Sequence, residues 1–132
     1  MHYMLDTDIC IYIIKKKPAQ VLQRLKKSAI SDIAISSITL SELEYGIAKS
    51  SQPEQNRAAL IGFLAPLEIV HFDEKAAFHY GKIRSLLESE GKMIGAMDLL
   101  IASHARSLSL TLVTNNVKEF KRIPKLQLEN WV

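Results

Sequence analysis

Asp6, Glu42, Asp98 and Asn116 stand far apart in the sequence, each where an apolar run ends or a helix is due to begin. Carboxylate and amide oxygens are hard ligands of the kind that a small divalent cation such as Mg2+ prefers. If the fold gathers them at one point, a cation held there would make water a usable nucleophile and orient a phosphodiester for attack. A covalent route finds no support. Ser36-Ser37 and Ser103 lack a nucleophile elbow, Cys10 sits among apolar residues and reads as a small buried hydrophobe, and His2, His71 and His79 show no metal spacing. His104, six residues after Asp98, reads as a packed or surface side chain rather than a base.

Each of these positions also has a local explanation. Asp6 follows an apolar run and precedes a helical one, so it can serve as an N-cap, a task that Thr7 or Asp8 could take over. Asp8 is a second candidate, as cap or water orienter. Thr39-x-x-Glu42 has the spacing of a capping box, in which the glutamate reaches back to the first amide of the helix. Glu44 cannot share a site with Glu42, because two residues along a helix are about 200° apart. Asp98 would be favoured at any helix start by the macrodipole, and Asn115-Asn116 after an apolar run is ordinary turn chemistry. Separate caps do not explain why all of them fall where an α/β sheet places its ligands.

The elements that would do the placing are short. Tyr3-Met4-Leu5 reads as a strand, followed by a helix through Ile9 to Ile14, and Pro18 opens a second helix that ends near Ser28. Ile33-Ala34-Ile35 is a second strand, and Leu40, Leu43 and Ile47 form the stripe of a third helix. Pro53 restarts helix, Ile69-Val70 is a strand, and Asp73 caps a long helix that Gly91 closes. A further helix runs from Asp98 to Ser107. Leu110 to Val113 is a fourth strand, Lys118-Glu119-Phe120 a short helical piece, and Leu126 to Leu128 an edge strand. Strands alternating with helices predict an α/β sandwich of three layers around a mainly parallel sheet of four to five strands. In such sheets ligands bind beyond the carboxyl ends of the strands, where Asp6 and Asn116 lie.

Composition sets the bounds. A chain of 132 residues that is 48% hydrophobic fits one domain over residues 1–132 with a real core. A lone cysteine excludes an intrachain disulfide, and no stretch approaches a membrane span or a secretory leader, so a reducing cytoplasm is the expected location. The net charge of +3 is mild, but Lys15, Lys16, Lys17, Arg24, Lys26 and Lys27 concentrate positive charge near the N-terminus. That cluster reads either as a solvated helix face or as a steering patch for phosphates.

Several segments together carry a resemblance. Tyr3-Met4-Leu5-Asp6-Thr7-Asp8-Ile9-Cys10, Ile35 through Leu43, Asp98-Leu99-Leu100-Ile101-Ala102 and Val113-Thr114-Asn115-Asn116 resemble, in order and nearly end to end, the acidic motifs of PIN-domain ribonucleases, specifically VapC toxins of bacterial VapBC toxin–antitoxin pairs. The resemblance implies an endoribonuclease dependent on Mg2+ (or Mn2+), with Asp6, Glu42, Asp98 and Asn116 as its metal and catalytic residues. It further implies a homodimer, inhibition by a VapB-type antitoxin in a higher assembly, and transfer RNA as substrate, cut in the anticodon stem-loop of the initiator. Asp8 departs from the asparagine of many relatives, and Asn116 from their aspartate. Hydrolysis without the 2′-OH would leave 5′-phosphate and 3′-hydroxyl ends. Two other readings stand beside this one. In the first, Asp6-x-Asp8 supplies the nucleophile and acid of a haloacid-dehalogenase-like phosphatase, which leaves Glu42 without a task. In the second, the acids are ordinary caps in a dimeric, non-catalytic interaction module.

Overall fold

The computed structural model describes residues 1–132. Five short strands, β1 (Tyr3–Leu5), β2 (Ile33–Ser36), β3 (Glu68–Val70), β4 (Thr111–Val113) and β5 (Leu128–Glu129), form one sheet in the order β3-β2-β1-β4-β5. Every pairing is parallel, with Tyr3 opposite both Ile33 and Thr111, so the expected mainly parallel sheet is parallel throughout. The crossovers are helical, as parallel neighbours require. They are α1 (Thr7–Lys15), α2 (Ala19–Lys26), α3 (Ser37–Ala48), α4 (Pro53–Leu64), α5 (Glu74–Ser89), α6 (Ala96–Ser107) and the single turn α7 (Val117–Phe120).

Alternation along the central strands divides the core between the two faces of the sheet. Tyr3 and Leu5 of β1, Ile33 and Ile35 of β2 and Val113 of β4 pack with Ile9, Ile13, Val21, Leu43, Ile47 and Leu60 on one side. Met4, Ala34 and Leu112 point the other way, onto Ile83, Leu87, Leu99, Ile101, Ala105 and Phe120. Met4, Leu5, Ile35, Leu112 and Phe120 are wholly buried, each worth roughly 1.5–3 kcal/mol on transfer from water. Cys10 is buried in the first of these clusters, as its apolar neighbours suggested.

The chain first builds outward from β1 through β2 to β3, then returns to place β4 on the other side of β1. That reversal opens a crevice between the carboxyl ends of β1 and β4, the place where open α/β sheets bind ligands. Asp6 follows β1 and Thr114 follows β4, so both lie at its mouth. The local signals also hold. Asp73 caps α5 by accepting from the Ala76 amide at 3.0 Å, and Gly91 ends that helix with φ +65°, a conformation that costs glycine little. Pro18 and Pro53 lie at the starts of α2 and α4.

Candidate metal centre

Asp6 is 5% exposed, and protein groups bond to both of its oxygens. The Thr7 amide donates to Oδ1 at 2.8 Å, the cap expected at the start of α1. The hydroxyl of buried Thr114 donates to Oδ2 at 2.8 Å, joining the ends of β1 and β4. Thr114 Oγ1 also accepts from the Asn116 amide at 2.9 Å, so one hydroxyl orients Asp6 and the turn carrying Asn116.

Glu42 is not the arm of a capping box. The N-cap of α3 is Ser36, whose hydroxyl accepts from the Ile38 amide, and Thr39 lies inside the helix. Glu42 is therefore free to face α1, where the Thr7 hydroxyl donates to its Oε1 at 2.6 Å. Thr7 thus touches Asp6 through its amide and Glu42 through its side chain. Asp98 lies in the first turn of α6, half-buried. Its Oδ2 would stand 3.3 Å from a Cβ placed on Gly95, so glycine keeps the entrance to the helix clear.

Sequence spacing did not single out Glu119. From α7 its Oε1 accepts from the Gly95 amide at 2.9 Å, and its Oε2 accepts from the Asn116 side-chain amide at 2.5 Å. Glu119 Oε1 and Asp98 Oδ2 would stand 3.7 and 3.3 Å from the same Gly95 Cβ position, so the two carboxylates are neighbours. Asn116-x-x-Glu119 has the spacing by which a helix-opening residue meets the third residue of its helix, the local signal that could have flagged it. Thr7 joins Asp6 to Glu42, Thr114 joins Asp6 to the turn of Asn116, Asn116 bonds Glu119, and Asp98 stands beside Glu119 at Gly95. Asp8 caps the Ile9 amide at 2.7 Å and accepts from the Asn115 amide at 3.1 Å, which places it beside Asp6 on the exposed side.

The electrostatics of this group are uncompensated. The ion pairs of the structure are Arg24–Glu129, Arg57–Glu44 and Arg84–Glu88, so no lysine or arginine neutralises Asp6, Asp8, Glu42 or Asp98. Burial first, and then the Asp8 charge, push the Asp6 carboxyl up to about 7 despite the bonds from Thr114 and Thr7. Burial, followed by the charges of Asp6 and Glu119, pushes Asp98 up to about 7 as well. Burial raises Asp8 too, against the pull of the Asn115 and Ile9 amides. In Glu119 the bonds from Gly95 and Asn116 outweigh burial and hold the carboxyl below its ordinary range. A buried cluster of like charges relieves its desolvation and repulsion by binding protons or a cation.

No three carboxylate, imidazole or thiol side chains surround one point closely enough to form a complete coordination shell by themselves. The donor set nevertheless suits Mg2+ or Mn2+. Such ions keep several waters and take one or two carboxylates directly, the remaining acids acting through water. Zinc or copper chemistry would want imidazole or thiolate, and here His104 is bonded to Ser36 while burial and the Asp6 and Asp8 charges push the Cys10 thiol well up.

The basic cluster divides. Arg24 lies 5.5 Å from the Tyr3 ring and 4.9 Å from the Trp131 ring, and it bonds to the Tyr3 hydroxyl and Glu129. It belongs to the packing of the C-terminal segment rather than to a phosphate patch. Lys15, Lys16, Lys17, Lys26 and Lys27 are exposed. Lys15 closes α1 about 12 Å along the helix from Thr7, and together with Glu42 it lines an apolar groove of about 290 Å³ between α1, α3 and α4.

The PIN domain model matches residues 3–126. Ribonuclease VapC2 of Rickettsia felis is 55% identical over 132 residues, covering 99% of this chain and 98% of the relative. The tRNA(fMet)-specific endonuclease VapC of Shigella flexneri is 45% identical over 131 residues, covering 99% and 98%. Among solved structures, VapBC2 from Rickettsia felis bound to a DNA fragment from its promoter superposes with a TM-score of 0.92 at 53% identity, over 100% of both chains.

Proposed function

Because the chain belongs to the PIN-domain family, and within it to the VapC ribonucleases of toxin–antitoxin systems, we propose that it is an endoribonuclease whose divalent cation is held at Asp6, Asp98 and Glu42. The observation that carries this reading is a carboxylate cluster around buried Asp6 in which no ion pair engages Asp6, Glu42 or Asp98. Residues 1–132 form one PIN domain in this reading. Mg2+ or Mn2+, when bound, lowers the pKa of water and offsets the charge that develops on the phosphate.

The chain's own groups then have distinct tasks. Asp6, with one oxygen fixed by Thr7 and the other by Thr114, offers its remaining lone pairs toward the crevice in a set direction. Asp98 approaches from α6, across from Asp6. Glu42 has one oxygen engaged by Thr7 and the other available to orient the attacking water and accept its proton. Asn116 and Glu119 hold each other and the Gly95 amide, fixing the start of α6 and hence Asp98. Asn116, a ligand candidate from sequence, stays in the proposed set through its carbonyl oxygen. Hydrolysis by water leaves 5′-phosphate and 3′-hydroxyl ends, and needs no 2′-OH.

Two relatives inform substrate and partner. The Shigella flexneri relative acts on tRNA(fMet), so the anticodon stem-loop of initiator transfer RNA is the proposed substrate. Unpaired loop bases can reach a cleft between helices, which the narrow major groove of duplex RNA does not permit. The solved Rickettsia felis relative is a VapBC assembly, so a VapB-type antitoxin is the proposed inhibitor, on a homodimeric toxin in the cytoplasm. The apolar groove beside Glu42, walled by Ile11, Ile14, Leu43, Ile47 and Leu60, is its proposed seat.

The phosphatase reading loses its premise, because the chain is a PIN-domain protein and Asp8 is occupied as a cap. Incubating the protein with total transfer RNA and Mg2+, beside Asp98→Asn and a chelated control, tests the proposal. Cleavage that leaves 5′-phosphate ends and is lost in both controls is expected. Metal-independent cutting, or a 2′,3′-cyclic phosphate end, refutes it.

A further inference from the structure

Below the carboxylates, and outside the set of proposed ligands, two polar side chains meet in the core. Ser36 is wholly buried and His104 is 1% exposed, and Ser36 Oγ lies 2.8 Å from His104 Nδ1. Ser36 is the last residue of β2 and the N-cap of α3, the helix that carries Glu42. His104 lies on α6, the helix that carries Asp98. Each partner is six residues, or about 9 Å along its helix, from the carboxylate on the same element.

We infer that His104 is a positioning residue: its bond to Ser36 ties α3 to α6 and thereby sets the separation of Glu42 and Asp98 across the metal site. The inference rests on the catalytic reading of those two carboxylates. The pairing is well defined chemically. Ser36 Oγ also accepts from the Ile38 amide at 3.1 Å, and with a second lone pair and its own proton it can pair with Nδ1 in either tautomer of the neutral ring. Burial favours that neutral form, while the Asp73 charge and the His71 backbone pull the other way. Nε2 is buried beside the His71 backbone. A polar ring kept in the core beside a buried serine is a poor solution for packing alone, since an apolar residue of similar volume would avoid the desolvation. Phe72 abuts the ring edge-on at 5.4 Å, and its amide bonds to the Ser37 hydroxyl at 3.0 Å, so the contact is braced from the β3 side.

The test compares His104→Leu, His104→Asn and Ser36→Gly with the parent protein. Mn2+ affinity is measured by calorimetry, kcat and KM on transfer RNA, and amide exchange on the chelated protein. Asparagine places an amide near the Nδ1 position, and glycine at the N-cap removes the hydroxyl while the helix start tolerates it. His104→Leu and Ser36→Gly should each weaken Mn2+ binding about tenfold, lower kcat by a similar factor and leave KM within about twofold. Exchange should rise in the first turns of α3 and α6 without metal, and His104→Asn should recover most of the affinity. A folded His104→Leu with parental affinity, kcat and exchange overturns the tie, whatever its melting temperature. If His104→Leu does not fold, Ser36→Gly decides by the same criteria. Asp98→Asn in the same series separates the two ideas: parental metal binding and cleavage in that variant refute the catalytic assignment, whereas loss there with no change in the His104 and Ser36 variants refutes the tie alone.

Discussion

Replacing Thr114 by valine removes a hydroxyl with little change of shape, and the stability lost should depend on pH. In the parent protein that buried hydroxyl donates to Oδ2 of buried Asp6 at 2.8 Å and accepts from the Asn116 amide at 2.9 Å. A bond to a carboxylate contributes about 1.5–3 kcal/mol and a neutral one about 0.5–1.5 kcal/mol. Burial raises the Asp6 carboxyl from 3.8 to about 7, so the folded, metal-free protein holds this proton more tightly than the unfolded chain. The resulting stabilisation is complete below about pH 4 and is lost as pH rises through about 7. The Thr114 bond opposes that loss by favouring the ionised form. Thr114→Val should therefore cost about 2–4.5 kcal/mol near pH 8.5, where Asp6 is charged, and about 0.5–1.5 kcal/mol near pH 5, where mainly the Asn116 bond is lost. Urea unfolding in chelator at the two pH values, with unchanged m-values, measures the difference. An equal cost at both, or a larger one in acid, would show that Thr114 does not serve an ionised Asp6.

Two further outcomes follow from the same charges. Mn2+ should raise the melting temperature of the chelator-treated protein more near pH 8 than near pH 6, because protons compete at Asp6 and Asp98; at a hundredfold excess over Kd the gain is about 2.7 kcal/mol. An equal shift at both values in a thermal scan would contradict it. Glu119→Gln keeps an acceptor for the Gly95 amide but removes a charge that raises Asp98, so the midpoint of Mn2+ binding against pH should move to lower pH. Calorimetry across pH reads that midpoint, and an unmoved or raised one would count against the coupling.

Much of this arrangement was legible in the sequence because it depends on local signals. Asp6 and Asn116 follow apolar strands, and Asp73, Gly91, Pro18 and Pro53 mark helix ends by their backbone preferences. Glu42 was legible as a candidate but not in its surroundings. The Thr39-x-x-Glu42 spacing implied a capping box, while Ser36 opens the helix three residues earlier and leaves Glu42 to meet Thr7. Glu119 was legible only as the partner of Asn116 three residues before it, since Gly95 is 24 residues away and tertiary packing alone brings it to Glu119. From the sequence Arg24 counted as one more positive charge, but in the fold it lies against the paired Tyr3 and Trp131 rings. Spacing along a chain reports what a residue does for its own helix, and reports poorly what it does for another.

The bond between Thr114 and Asp6 spans 108 positions, and Glu119 lies beyond it. Synthesis from the N-terminus therefore puts Asp6, Glu42 and Asp98 in the chain before the residue that holds Asp6 from the end of β4. Fragments that end before β4 lack one wall of the crevice, so the N-terminal carboxylates gain their fixed geometry only when the second half of the fold docks onto the first.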